Sequence, residues 1–220
     1  GDARDCIREL VTETDASAVF WNRQYEKDTI ARDTEIKAWL KETNRLGEGH
    51  VGNLFFEPWA ISNKKSGSHF KVFSPFWKAC LEAGLPRDRW SPPPRIIGPE
   101  KWPERSSLPD AGPTPSPEMD TLWHPGEAGA LKMLDNFLEN SLIGYADNRD
   151  IPGGVTTSRL SPHLRWGEIS PQRIYAALGD DRHETRDGRK FLAEVGWREF
   201  SYYLLYHYPD MQDTCLQSKF

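Results

Sequence analysis

Cysteine is scarce: Cys6, Cys80 and Cys215 stand far apart, with no C-x-x-C pair. That excludes a disulfide scaffold and a cysteine-rich zinc site, and suits a reducing compartment. The six histidines are scattered, with no H-E-x-x-H arrangement, so no metal site is expected. No apolar run approaches the roughly 18 residues needed for a spanning helix. The first residues, Gly1-Asp2-Ala3-Arg4-Asp5, are charged and lack the apolar stretch of a secretory signal. Mean hydropathy is −0.70, and the expectation is a soluble, cytoplasmic monomer without membrane contact. A positive excess is missing too. The net charge of −5 argues against a globally basic nucleic-acid binder, although a local patch is still compatible with it.

Tryptophan and proline are abundant instead. Nine Trp stand beside ten Phe and seven Tyr, which suits large buried or stacking surfaces. Residues 85–125 hold 11 of the 17 prolines, in runs such as Ser91-Pro-Pro-Pro94 and Pro113-Thr-Pro-Ser-Pro117. Proline fixes φ and removes a donor, so this stretch is neither helix nor central strand. It reads as a connector between two folded parts, with Trp90 and Trp102 suggesting that it lies on the surface.

Before the connector the pattern alternates. Helical spacing runs from Arg4 to Thr14 and from Thr29 to Thr43, and Ser17 to Trp21 reads as a short buried strand. Gly47 to Phe56 reads as turn and strand, and a helix is expected near Pro75 to Ala83. This alternation predicts α/β architecture over 1–84. After the connector, 126–220 reads as helical: an apolar face on Gly126 to Asn140, a glycine loop, Ser170 to Leu178, and a long helix from about Thr185 to Tyr208 that Pro209 ends. The basic residues of this half are mostly Arg, a fork-shaped donor for phosphate and carboxylate.

Three stretches bear on chemistry. Gly47-Glu-Gly-His-Val-Gly52 matches a G-x-G-x-x-G pattern, but no helix follows it, so it reads as a turn and not as a dinucleotide loop. Thr156-Thr-Ser-Arg-Leu-Ser161 sets three hydroxyls and a guanidinium after a glycine loop and before a helical segment. Such a group either grips a phosphate or simply caps the helix. On the long helix, Leu192, Val195, Gly196 and Tyr203 share one side at about 100° per residue. Glu194, Trp197, Arg198 and Ser201 share the opposite side. A carboxylate, a flat ring and a guanidinium on one face can read a base edge, stack on it and hold a charge. The plainer alternative is a surface Glu–Arg pair beside a buried Trp.

Together these stretches resemble the DNA photolyase and cryptochrome family. Trp123-His-Pro-Gly-Glu127, Tyr145, Asn148-Arg149-Asp150, Thr157-Ser-Arg-Leu-Ser-Pro-His-Leu164 and Trp166-Gly-Glu-Ile-Ser170 follow in the family's order and spacing. Phe191-Leu-Ala-Glu194 and Gly196-Trp-Arg-Glu-Phe200 complete the run. Upstream, Trp21-Asn-Arg-Gln-Tyr-Glu26, Asn53-Leu-Phe-Phe-Glu-Pro-Trp59 and Val72-Phe-Ser-Pro-Phe76 resemble the later part of the family's antenna domain.

The resemblance implies a partial Rossmann-like antenna domain at 1–84, a connector at 85–125, and the first part of an all-α FAD-binding domain at 126–220. It implies that the sequence is an internal segment which does not hold FAD by itself. It further implies a class I-like cyclobutane pyrimidine dimer photolyase, in which excited reduced FAD passes an electron to a flipped dimer in UV-damaged DNA. A cryptochrome-type blue-light receptor is the alternative, and repair of the 6–4 photoproduct a third reading.

By the same resemblance Tyr145, Thr157, Ser158, Arg159, Leu160, Ser161, Phe191 and Arg198 contact the flavin. Glu194 and Trp197 act on the lesion, and Arg149, Glu194, Trp197, Arg198 and Ser201 face DNA. Dimer-repairing members keep a Trp at the position of Trp197, which plant-type cryptochromes commonly replace by a smaller residue. Asp28 and Thr29 stand where folate-binding members carry Asn-Glu, so a second antenna chromophore stays open between folate and deazaflavin types.

Overall fold

The computed structural model describes residues 2–63, 67–87, 94–98 and 123–216. Most of the proline-rich connector, with Trp90 and Trp102, lies outside the described residues. The chain divides into two compact units.

The first unit is α/β. Helix α1 (Ala3–Thr14) starts where the Asp2 carboxylate accepts the Arg4 N–H at 2.8 Å, and it ends at Asp15, whose φ of 48° is left-handed. Strand β1 (Ala18–Asn22), helix α2 (Lys27–Glu42) and strand β2 (Leu46–His50) follow, and the strands pair in parallel from Ala18↔Leu46 to Asn22↔His50. A helix between two parallel strands is the crossover such pairing requires. Val11, Ile36 and Leu40 form the core, with Ile7, Val19, Trp21 and Trp39 packed around them.

One expectation is corrected here: Gly47 to His50 is strand, and 51–56 is not. A Cβ on Gly47 would stand 2.8 Å from the Leu40 side chain, and one on Gly49 would stand 2.9 Å from Arg23. These glycines serve close packing inside a strand rather than a turn.

The second unit contains the remaining helices together with residues 51–87. Helix α3 (Phe73–Ala83) sends Phe76, Trp77 and Cys80 into the helical core and stops at Gly84, φ 81°. Arg87 pairs with Asp180 and lies over the Tyr175 ring at 5.0 Å. Helix α4 (Glu127–Asn140) buries Ala130, Leu134, Phe137 and Leu138, the face its spacing predicts. Short helices α5 (Tyr145–Asn148) and α6 (Ser161–Trp166) come next.

Helix α7 (Pro171–His183) begins with Ser170 accepting the Arg173 N–H at 3.0 Å and kinks at Gly179, φ 72°. Helix α8 (Arg186–His207) is capped by Thr185, whose hydroxyl accepts the Gly188 N–H at 3.0 Å. It buries Phe191, Leu192, Val195, Gly196, Phe200 and Tyr203. No helix among the described residues is long and apolar enough to cross a membrane.

Candidate functional site

Helix α8 is the spine of the site. Its first turn fixes the neighbouring α5: the Asp187 carboxylate accepts the N–H of Gly144 at 2.9 Å and of Ala146 at 2.8 Å. That bond pair sets the start of α5 and so the place of Tyr145. The Tyr145 ring packs edge-on against Phe137 and Phe191, with centroids 5.4 and 5.6 Å away. Burial raises its hydroxyl above the ordinary phenol value. Nothing in the sequence set Asp187 apart from other acids in a first helical turn.

A cavity of about 520 Å³ opens beside this wall, a volume in the range of cofactor sites. It is lined by Tyr145, Thr157, Ser158, Arg159, Leu160, Ser161, Phe191, Glu194 and Arg198, with Leu164, Ile174 and Val195 as apolar filling. All eight residues that the resemblance assigned to flavin contact therefore stand around one space. The three aliphatic residues carry no sequence signal beyond ordinary core character.

The hydroxyl-rich run does not cap the helix after it. The residue before α6 is Leu160, and no side chain makes a capping hydrogen bond there. Arg159 adopts a left-handed φ of 53°, uncommon for a non-glycine residue. This turn places Ser158, Arg159 and Ser161 together on the cavity, where hydroxyls and a guanidinium suit phosphate oxygens.

Arg198 is a mostly buried cation in the cavity wall. One of its terminal nitrogens donates to the Asn53 carbonyl and the other to the Leu164 carbonyl, the latter at 3.2 Å, and its guanidinium lies 4.9 Å over the Tyr202 ring. Burial lowers it below the ordinary arginine value, while Tyr202 and Glu199 oppose that effect. A desolvated guanidinium whose hydrogen bonds go to carbonyls suits an anionic neighbour.

Glu194 also lines the cavity, but it is engaged. Its carboxylate pairs with Arg149, and Lys190 approaches at 3.5 Å. The bond to Glu194 raises Arg149 above its ordinary value. Arg149 further contacts Asp150 at 3.2 Å and lies 5.9 Å over Tyr145.

Trp197 and Ser201 are not among the cavity-lining residues. Trp197 is 46% exposed and stacks on Phe73 at 3.9 Å with 13° between the rings. One face is covered by Phe73, which leaves the ring supported as a platform. Ser201 is exposed and donates its hydroxyl to the Trp197 carbonyl at 2.9 Å. The expected helix face is thus divided between the cavity (Glu194, Arg198) and its exterior (Trp197, Ser201). Among the described residues no group of three or more His, Cys, Asp or Glu could hold a metal ion.

A family model described as DNA photolyase matches residues 1–96. Deoxyribodipyrimidine photo-lyase of Agrobacterium fabrum is 37% identical over 218 residues, covering 96% of this chain and 45% of that protein. Cryptochrome-2 of Arabidopsis thaliana is 32% identical over 232 residues, covering 97% of this chain and 37% of its own length. A solved bacterial class III photolyase from Agrobacterium tumefaciens superposes with a TM-score of 0.83 at 36% identity, covering 97% of this chain and 46% of that one. The chain spans less than half the length of each of these three relatives.

Proposed function

We propose, on the premise that this chain belongs to the DNA photolyase and cryptochrome family, that its cavity takes part in holding FAD. The protein then repairs cyclobutane pyrimidine dimers in DNA under light. The observation that carries the reading is the convergence of Tyr145, Thr157 to Ser161, Phe191 and Arg198 on one cavity of about 520 Å³. Capping does not consume the hydroxyls there. Reduced FAD, when bound, supplies the electron that light makes available to the dimer.

Each residue then has a physical task. Thr157, Ser158 and Ser161 offer hydroxyls, and Arg159 a forked cation, to the two phosphates of the cofactor. Tyr145, Phe191, Leu164 and Val195 form an apolar wall for its ring and keep water from it. Arg198 holds positive charge in a low-dielectric wall, where it stabilises a negatively charged ring more than it would in water. Glu194 can accept an N–H from an extruded pyrimidine once Arg149 turns toward a phosphate. Trp197, backed by Phe73, offers the stacking face on which a flipped base rests. No side chain is required as nucleophile, since the cofactor carries the redox step and the protein supplies orientation and electrostatics.

The 32% identity with Cryptochrome-2 favours a second reading, a light-sensing flavoprotein without repair. The two readings part on one assay with the protein at its natural length. UV-treated DNA, illuminated with blue light and reduced protein, loses its dimers under the first reading. A bound flavin that responds to light while the dimers persist supports the second.

A further inference from the structure

Glu199 is the buried acid of α8, 3% exposed and next in sequence to Arg198. Its two carboxylate oxygens each take a backbone N–H from one loop, Phe55 at 3.0 Å and Phe56 at 2.8 Å. The gap beside it, lined by Leu54, Phe56, Pro58, Ile61, Phe76 and Tyr203, has no room for a water molecule. Those two amides, with Arg198 beside them, offset part of its desolvation. Arg198 reaches back to the same loop through the Asn53 carbonyl. Adjacent residues of α8 thus hold one short loop by an anion at 55–56 and a cation at 53.

We propose that Glu199 is a positioning residue for the cavity: by holding the Phe55 and Phe56 amides it fixes the Asn53 carbonyl, and through it the Arg198 guanidinium in the cavity wall. Gln172 holds the same loop from the other side of one peptide unit, donating to the Leu54 carbonyl at 2.6 Å while Glu199 takes the Phe55 N–H. The groups facing the carboxylate are Arg198 and Tyr203 from α8, Glu57 from the loop and Cys80 from α3. Burial dominates, with Glu57 adding to it. Together they outweigh the two amides and Arg198 and raise Glu199 to about 7. Burial and the nearby Glu199 carboxylate likewise raise the Cys80 thiol. Protonation turns one acceptor oxygen into a donor and releases one amide, so the hold on the loop loosens as pH falls through neutrality.

The test needs no cofactor. NMR follows the Phe55 and Phe56 backbone N–H signals and the Arg198 Nε–H signal from mildly acidic to mildly alkaline pH, in the wild type and in Glu199→Gln. The proposal expects all three signals to move along one shared titration in the wild type, and Glu199→Gln to abolish it. Amide signals that titrate while Arg198 stays still would overturn it, as would three signals that ignore pH. If Glu199→Gln does not fold, the wild-type titration decides by itself.

The consequence for FAD rests on the reading of the cavity given above. Flavin affinity of the natural-length protein should follow the same titration and lose its pH dependence in Glu199→Gln. Absence of flavin binding altogether would refute the cavity reading, while the ligand-free titration continues to judge the positioning role.

Discussion

Gly196 allows α8 to lie against Trp77, and replacing it by Ala tests how tightly that contact is built. A Cβ at this position would stand 2.7, 2.8 and 2.9 Å from three carbons of the Trp77 indole. Carbon atoms in contact normally sit about 3.5–4 Å apart, so the ring would have to retreat by close to 1 Å. It has little freedom to do so. Trp77 is 9% exposed and lies between Phe55, at 6.4 Å, and Phe73, at 6.2 Å. Two effects compete. Alanine in a helix interior gains about 1 kcal/mol over glycine. Overpacking a filled core costs about 1–3 kcal/mol, and contact with rigid ring atoms belongs at the upper end. The net expectation is a loss of about 2 kcal/mol in urea unfolding followed by tryptophan fluorescence. Gly153→Ala is the control: nothing lies within 4 Å of its Cβ position, and stability should barely change. A Gly196→Ala protein as stable as the wild type would refute the reasoning about this contact.

Two further perturbations address the site. Trp197→Ala should weaken binding to dimer-containing DNA by about 1–3 kcal/mol if the ring stacks on the lesion. Equal affinity in a binding titration would leave Trp197 only as the cover of Phe73. For Glu199, folding raises the carboxyl from 4.5 to about 7, so the protonated form is the one that folding favours. Its contribution is complete below the ordinary value and is lost as pH rises through the folded one. At about 1.4 kcal/mol per pH unit, the wild type should lose about 3 kcal/mol of stability relative to Glu199→Gln across that window. Denaturation of both proteins at several pH values checks this, and a difference that does not vary with pH would count against the burial argument.

Much of the fold was legible from local signals. The apolar spacing of α4, the start of α8 near Thr185 and its Pro209 stop are short-range features, and they appear where the sequence places them. The misreading at Gly47 arose because glycine marks either a turn or a close approach, and only the partners Leu40 and Arg23 tell these apart. Residues 51–87 pack with the second unit, and what holds them there is distant in sequence. Their anchors, the Glu199 carboxylate accepting the Phe55 and Phe56 N–H groups and the Tyr203 hydroxyl accepting the Phe70 backbone N–H at 3.2 Å, lie more than a hundred residues away. The cavity residues were legible through their family pattern, whereas the wheel of α8 resolved only the direction of each side chain. It could not show that Trp197 leans on Phe73 or that Glu199, an acid by composition, is buried.

The central claim is that this cavity contributes the phosphate grip on FAD, and a flavin titration of the natural-length protein tests it most directly. The comparison is between the wild type and the combined substitutions Thr157→Ala, Ser158→Ala and Arg159→Ala. The account predicts flavin binding weakened by about tenfold or more, since charge-assisted hydrogen bonds contribute roughly 1.5–3 kcal/mol each, with the helical circular dichroism preserved. Unchanged flavin affinity in a folded triple variant would contradict it.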